Sequence, residues 1–302
     1  MKIIINADDF GVDIDRDIGI TYGVLKGYIT SVSVITTNKI GLIRKILINL
    51  IKKKASIGIH INLTDNPLTQ YQMEDLCYYK YNYEKAKYTF WKNCMEDTIY
   101  INRIKKEIDS QINKFYKKYK FMPSHIDGHN HCNIFNGKIE KIFEEVSIKH
   151  KIHLRIPYEK LEYIDEIDLK GNCFFDDYYK FGNKKLNMKL IMDNLEYFFK
   201  YDMYLNNYMC IKNCKKDIAF IGTIYGYFRN PEFLTKQINN YKKNYNVIQL
   251  MTHPGFYCKI LKHNTPFSNK ERMNELKSLK VLKRNIVNNN IQYITYKSNG
   301  YY

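Results

Sequence analysis

The chain has 302 residues, of which 45% are hydrophobic and 15% aromatic, so it can bury a sizeable globular core. It contains no run of about 18 uncharged apolar residues, and its first residues lack the apolar core and cleavage site of a signal peptide. We therefore expect a cytoplasmic protein with no membrane partner.

The formal net charge of +17 would suit a protein that binds nucleic acid. The lysines, however, are spread in pairs along predicted helix faces and turns, which is typical of a solvated surface. We therefore predict no nucleic-acid partner. The seven cysteines are odd in number and irregular in spacing, which argues against a disulfide framework and for a reducing compartment.

Short apolar runs alternate with helix-like segments, which predicts repeated βα units and a mainly parallel sheet. The predicted strands cover residues 2–7, 31–36, 56–61, 125–127, 153–156, 218–223, 246–251 and 291–295. The predicted helices cover residues 12–26, 42–53, 98–118, 137–150, 184–199, 230–244 and 268–288. Two irregular stretches, 62–93 and 174–181, are interpreted as loop excursions. We expect a single catalytic domain over residues 1–302.

Two adjacent carboxylates, Asp8 and Asp9, follow the first apolar run directly. Like charges at the end of a core strand repel each other, so a nearby cation or a protonated carboxyl should compensate them. A divalent metal with histidine partners would do this. The alternative is a solvated turn in which an aspartate caps the next helix.

Histidines occur at the ends of two further predicted strands. His60 lies on the face of its strand opposite Ile59 and Ile61, where a hydrogen-bonded core histidine is the alternative to a ligand. His253 precedes Pro254, which restricts its backbone to extended values and holds its ring at a strand end, as a general acid requires. A surface turn is the alternative for this residue.

The segment 125–131 is the densest cluster of possible metal ligands, because His125, Asp127, His129 and His131 alternate within it. All four would share one face if the segment stayed extended, and would surround a pocket if the chain turned after Asp127. Imidazole and carboxylate together suit a borderline divalent metal. A polar loop with capping histidines is the alternative. Arg155 ends a fifth run, where it could bind a carboxylate such as Asp8, a substrate oxygen or a glutamate.

Together these segments resemble the YdjC/ChbG family of carbohydrate deacetylases, in the family's order and over almost the whole chain. The segments that carry the resemblance are Asn6-Ala7-Asp8-Asp9-Phe10-Gly11, Gly58-Ile59-His60-Ile61-Asn62-Leu63-Thr64, His125-Ile126-Asp127-Gly128-His129-Asn130-His131, Arg155-Ile156-Pro157 and His253-Pro254-Gly255. The resemblance implies a distorted, TIM-like (β/α) barrel with mainly parallel strands.

The resemblance also implies roles for single residues. The metal, one divalent ion described as magnesium or zinc, would be bound by Asp9, His60 and His125. Asp8 would be the base that deprotonates water, and His253 the acid that protonates the leaving amine. Second-shell or substrate-binding roles fall to Asp127, His129 and Arg155.

We therefore predict an enzyme, a metal-dependent hydrolase that removes the N-acetyl group from an amino sugar or short chitin-type oligosaccharide. Its partner would be a small carbohydrate, and a homodimer is left open. Two alternatives stay open as well. A metallophosphoesterase also uses Asp and His at strand ends but commonly needs a second metal. A non-enzymatic basic protein would bind a polyanion and keep the metal for structure.

Overall fold

A computed structural model describes residues 1–64, 97–134, 136–157, 218–222, 230–256 and 269–299, together with residues 68, 90, 93 and 94. The predicted helix at 184–199 and the excursion at 174–181 lie outside these residues, as does most of the excursion at 62–93. In the described part of the chain, no helix is both long and apolar enough to cross a membrane.

Strands and helices alternate along the described chain, as the sequence predicts. The strands are β1 (Lys2–Phe10), β2 (Ser31–Ile35), β3 (Ser56–Ile61), β4 (His125–Gly128), β5 (His153–Leu154), β6 (Ile218–Ile221), β7 (Val247–Thr252) and β8 (Gln292–Tyr293). The helices are α1 (Ile14–Leu25), α2 (Leu42–Ile51), α3 (Ile101–Tyr119), α4 (Gly137–His150), α5 (Pro231–Tyr241) and α6 (Asn269–Asn288). Short 3-10 turns span His129–His131 and Tyr296–Asn299.

Seven of these strands form one sheet in the order β5-β4-β3-β2-β1-β7-β6, and β8 pairs with the beginning of β1. Every pairing among the described strands is parallel. The sheet curls into a half-barrel flanked by helices, which confirms the prediction of a distorted (β/α) barrel. The single-domain organisation stays a prediction.

The two faces of the sheet differ in polarity because side chains alternate along each strand. On β1, Ile3 and Ile5 belong to the main apolar core. That core also takes in an apolar stripe on α3, formed by Ile104, Ile108, Ile112 and Phe115. The opposite face of β1 carries Asn6 and Asp8, both buried. A polar interior therefore lines the inside of the half-barrel.

The end of β1 is irregular, and this irregularity shapes the site. The strand runs to Phe10, beyond the predicted end at residue 7, and its pairing with β2 slips by one residue between Ala7 and Phe10. Asp9 has a φ of 68°, and Gly11 has a φ of 106° with its Cβ position only 2.6 Å from the Ile35 carbonyl oxygen. Only glycine fits there without strain. The bulge brings the side chains of Asp8 and Asp9 to the same imidazole.

Candidate active site

The carboxylate of Asp8 is bound at both oxygens by Arg155, which follows β5. Arg155 Nη1 donates to Asp8 Oδ1 over 2.7 Å, and Nη2 donates to Oδ2 over 2.6 Å. Asn6 Nδ2 also donates to Asp8 Oδ1, at 2.6 Å. Burial raises the pKa of Asp8, but the charges of Arg155 and His60 outweigh it and hold this pKa below its usual value. Asp8 is therefore ionised at neutral pH.

Asp127 fixes the orientation of His60. His60 Nδ1 lies 2.7 Å from Asp127 Oδ1, while Asp127 Oδ2 accepts from the Ser33 hydroxyl at 2.6 Å and lies 3.0 Å from Arg155 Nη1. The other ring nitrogen, His60 Nε2, thus points away from Asp127. It lies 3.6 Å from both Asp8 Oδ2 and Asp9 Oδ1. A carboxylate on one ring nitrogen is the usual support for a histidine whose other nitrogen binds a metal.

Asp9 lies between two histidines and two arginines. Its Oδ1 is 3.0 Å from His129 Nδ1, and its Oδ2 accepts from Arg16 Nη1 at 3.0 Å and lies 3.7 Å from Arg272 Nη2. Burial raises the pKa of Asp9, but His129 and Arg16 outweigh it and hold this pKa well below its usual value. Although His129 is close, Asp9 Oδ1 has no hydrogen-bond partner of good geometry among the described residues.

Two groups of side chains in the described part of the chain could hold a metal ion, each with its ligand atoms within 4.8 Å of one another. The groups are Asp9, His60 and His129, and Asp8, His60 and Asp127. In the second group Arg155 already contacts both carboxylates, so a second cation there would meet a fixed positive charge. The first group leaves His60 Nε2 and Asp9 Oδ1 facing the same space, and it is the better fit to a metal.

The charge around His60 also fits a cation. Burial lowers the pKa of His60, but Asp127 and Asp8 outweigh it and raise this pKa above its usual value. The carboxylates that favour a proton on the ring would equally favour a metal ion bound to Nε2.

His125 does not join either group. Its Nδ1 lies 3.0 Å from the Ser124 hydroxyl and its Nε2 lies 2.9 Å from the Ser33 hydroxyl. The Ser33 hydroxyl donates its one hydrogen to Asp127 and accepts from Asn6 Nδ2 at 2.8 Å, so it must also accept from His125. This assigns the hydrogen of His125 to Nε2 and leaves Nδ1 to accept from Ser124. Both ring nitrogens of His125 are therefore occupied by hydrogen bonds to serine hydroxyls.

The ring of His125 is also enclosed by its neighbours. It stacks on Tyr296, with ring centroids 3.9 Å apart and an angle of 19° between the planes. A Cβ on Gly58 would lie 2.3 Å from the ring, so glycine is required to make room for it. Burial lowers the pKa of His125 to about 3, so the ring is neutral at pH 7. His125 therefore acts as an interior support beneath Asp127.

His253, at the end of β7, lies on the other side of the site. Its backbone N–H donates to Glu275 Oε1 at 3.0 Å, and its carbonyl oxygen accepts from Arg272 Nη1 at 3.0 Å. Burial lowers the pKa of His253 to about 4, against the opposing effect of Asp9 and Asp8. The imidazole is therefore neutral at pH 7 in this structure.

The structure thus brings together most of the residues predicted from the sequence. Asp8, Asp9, His60, Asp127, His129, Arg155 and His253 converge at the carboxyl ends of β1, β3, β4, β5 and β7. Several supporting residues were missed: Arg16, Ser33, Arg272, Glu275 and Tyr296. The Arg-x-x-Glu spacing of Arg272 and Glu275, which puts both side chains on one face of a helix, is the one sequence signal that could have drawn attention to them.

A parallel barrel whose carboxylates and imidazoles meet at the carboxyl ends of its strands has the arrangement of an enzyme active site. Among the residues described, the buried ion pair of Asp8 and Arg155 lies next to the possible metal ligands Asp9, His60 and His129. A carboxylate base beside a metal site is the arrangement of a metal-dependent hydrolase.

The model of the YdjC-like protein family matches residues 2–284 of this chain. The chain belongs to the YdjC-like family. It is 24% identical over 271 residues to a carbohydrate deacetylase of Danio rerio, covering 85% of this chain and 82% of that protein. It is 25% identical to carbohydrate deacetylase 2 of Listeria innocua, covering 98% of each. The predicted family and the predicted enzyme class, a carbohydrate deacetylase, are confirmed.

A solved structure supports the fold. The crystal structure of a protein described as a cellobiose-phosphate cleavage protein, from Enterococcus faecalis V583, matches with a TM-score of 0.66 at 20% identity. The match covers 98% of each chain. The described part of this chain therefore shares its barrel architecture with that structure.

Proposed function

We propose that this protein is a metal-dependent hydrolase that removes the N-acetyl group from an amino sugar or a short chitin-type oligosaccharide and releases acetate. The observation that carries the proposal is the meeting of Asp9 Oδ1, His60 Nε2 and His129 Nδ1 next to the ion pair of Asp8 and Arg155. The names of the relatives support the acetylated sugar as substrate class.

One divalent ion, magnesium or zinc, would be held by Asp9, His60 and His129. Asp9 and His60 are two of the ligands that the resemblance implies. We infer His129 as the third, in place of the His125 that the resemblance implies, because both ring nitrogens of His125 hydrogen-bond to serine hydroxyls. When bound, such an ion polarises the acetamide carbonyl and makes hydroxide available near neutral pH. Two imidazole nitrogens and one carboxylate oxygen favour zinc over magnesium, because magnesium prefers oxygen ligands.

Asp8 would serve as the base that takes a proton from the attacking water. Its carboxylate is kept ionised by Arg155, which also fixes both of its oxygens in place. Arg155 and Asp127 would therefore act by holding Asp8 and His60 in the orientation that the reaction needs. The resemblance implies that these residues either support the ligands and the base or bind substrate, and the proposal adopts the first of these roles.

His253 would protonate the leaving amine. The ring is neutral before the reaction, because burial lowers its pKa. Negative charge that develops on the acetamide in the transition state would raise this pKa, so that the ring would take up a proton from solvent. The proton would then pass from His253 to the amine nitrogen as the C–N bond breaks.

Two further expectations belong with this proposal and stay predictions: a cytoplasmic location and a small-carbohydrate partner of unspecified chain length. A homodimer is left open. The alternative of a metallophosphoesterase is less well supported, because Arg155 fills the space between Asp8 and Asp127 that a second metal would need.

The direct test is acetate release from a panel of N-acetylated mono- and disaccharides, assayed with each of several divalent metals. We expect release from at least one short N-acetylated sugar and none from the chelator-treated protein. Hydrolysis of phosphate esters with two metals per chain and no acetate release would instead favour a phosphoesterase. Polyanion binding that resists high salt, again without acetate release, would favour the non-enzymatic alternative.

A further inference from the structure

Helix α6 holds the backbone of His253 at two points. Glu275 Oε1 accepts from the His253 backbone N–H at 3.0 Å, and Arg272 Nη1 donates to the His253 carbonyl oxygen at 3.0 Å. The two side chains are three positions apart, so they lie on the same face of the helix. One amide group on each side of the His253 Cα is therefore fixed by α6.

This support acts at the point where the sheet ceases to hold the chain. The pairing of β7 with β1 ends at Thr252, one residue before His253. Pro254, the next residue, has no N–H of its own to donate. Gly255 N–H donates to the carbonyl oxygen of Arg272 at 3.3 Å, which makes a third contact between this turn and α6. The position of His253 thus depends on side chains of α6 as well as on the strand.

Arg272 also reaches the predicted metal ligand. Its Nη2 lies 3.7 Å from Asp9 Oδ2, while its Nη1 binds the His253 carbonyl. Arg272 as a whole is only 4% exposed, so this placement replaces the hydration of its side chain by contacts with the site. A single planar group therefore spans the distance between the carboxylate at the metal position and the backbone of the predicted acid.

We propose that Arg272 and Glu275 are positioning residues that set the location of His253 relative to Asp9, so that the imidazole reaches the leaving amine nitrogen. The inference rests on the proposed function, because it assigns a purpose to the position of His253. Neither residue is assigned contact with substrate. A merely structural role, in which the same contacts only anchor α6 to the barrel, makes different predictions and is separable by experiment.

The test is a double-mutant cycle between Glu275 and His253, measured on an N-acetylated disaccharide that the wild type hydrolyses. Glu275→Ala removes the acceptor, whereas Glu275→Gln removes the charge but keeps an oxygen at the same place. Glu145→Ala is the matched control for loss of a carboxylate, because Glu145 lies on α4 with its side chain 49% exposed. Melting temperature and metal content are recorded for every variant.

If Glu275 acts through His253, Glu275→Ala lowers kcat about 10- to 100-fold with little change in KM. In the His253→Ala background the same substitution changes kcat by less than about twofold, because its effect is already lost. Glu275→Gln and Glu145→Ala stay near the wild type. Hydrolysis of 4-nitrophenyl acetate, whose phenolate leaves without a proton, is nearly unchanged by Glu275→Ala.

Two results would overturn the inference and leave the proposed function standing. One is an equal loss of kcat from Glu275→Ala with and without His253. The other is an equal loss from Glu275→Gln and Glu275→Ala, which would show that charge and not position matters. A His253→Ala protein with full activity would instead remove the acid from the proposed function, and the inference with it. Should Glu275→Ala fail to fold, Arg272→Lys replaces it in the same cycle. Lysine keeps the positive charge but cannot contact Asp9 and the His253 carbonyl oxygen at the same time.

Discussion

The guanidinium of Arg155 holds both oxygens of Asp8, at 2.7 and 2.6 Å, although the two residues are 147 positions apart in the chain. The same guanidinium lies 3.0 Å from Asp127. One buried cation thus compensates two carboxylates at the ends of two different strands. The repulsion predicted for the acidic pair of β1 is thus relieved at Asp8 by Arg155, while Asp9 is paired with Arg16.

Replacement of Arg155 should therefore change both stability and the pH profile. Arg155→Met leaves Asp8 and Asp127 buried without their shared cation, which should lower the free energy of unfolding by about 3 to 5 kcal/mol. Because Arg155 lowers the pKa of Asp8, its loss raises this pKa, and the acidic limb of kcat/KM against pH moves to higher pH. Urea denaturation and a pH–rate profile measure the two effects.

Arg284→Met, on the exposed side of α6, is the control and should alter the free energy of unfolding by less than about 0.5 kcal/mol. An acidic limb that stays in place in a folded Arg155→Met protein would show that Asp8 is not the base.

Metal content distinguishes His129 from His125. His129→Ala removes a ligand of the proposed set, so the purified variant should retain no stoichiometric divalent metal. His125→Gln keeps all three ligands and disturbs only the support beneath Asp127. We therefore expect the affinity of this variant for zinc to fall by about 10- to 100-fold. Isothermal titration with zinc and elemental analysis compare the two. The reverse order of affinities would restore the role that the resemblance gave to His125.

The segment that contains these histidines shows what the sequence could and could not predict. Alternation alone put His125, Asp127 and His129 on one face, and left open whether the chain turned. In the structure β4 ends at Gly128, and Asn130 and His131 take positive φ values of 51° and 53°. The turn carries His129 over to Asp9 while His125 stays inside the barrel. Positive φ at two residues other than glycine depends on tertiary contacts, which local pattern does not encode.

The convergence at the strand ends, in contrast, could be predicted, because parallel strands end at the same edge of a sheet. The residues that support His125 could not be predicted from the sequence. Ser33 and Tyr296 lie far from His125 in the chain, and each is an ordinary strand or turn residue by its sequence alone. Their roles arise from the closeness of β2, β4 and the turn after β8, which is a property of the barrel.

Gly58 tests the enclosure of His125. A methyl group there would lie 2.3 Å from the imidazole, so Gly58→Ala must displace the ring and should lower the free energy of unfolding by about 1 to 3 kcal/mol. Gly41→Ala is the control, because its Cβ would have no atom within 4 Å, and we expect a change within about 1 kcal/mol. Thermal or urea denaturation measures both. Equal stability of the two variants would contradict the packing described.

Asp17 should make stability depend on pH. It is fully buried, where its Oδ1 accepts from Gly11 N–H at 2.6 Å and its Oδ2 from Arg44 Nε at 2.7 Å. Burial raises its pKa to about 6, against the lowering effect of Arg44. Because this pKa exceeds the unfolded value of about 3.9, the folded chain binds more protons between these limits. The contribution of Asp17 to stability is therefore complete below about pH 4 and is lost as pH rises through 6.

Asp17→Asn keeps an acceptor for Gly11. It should reduce the change in the free energy of unfolding between pH 4 and 7 by about 2 to 3 kcal/mol. Urea denaturation of both proteins between pH 4 and 7 measures the difference. If the free energies of unfolding of the two proteins change in parallel with pH over that range, Asp17 does not titrate there.

We expect acetate release to require one divalent ion, held by Asp9, His60 and His129. The most direct measurement is acetate release from N,N′-diacetylchitobiose by chelator-treated protein as zinc or magnesium is added back in known amounts. We predict no release without metal, and full recovery at one ion per chain for the wild type but not for His129→Ala. Full acetate release by the metal-free wild type would contradict the claim.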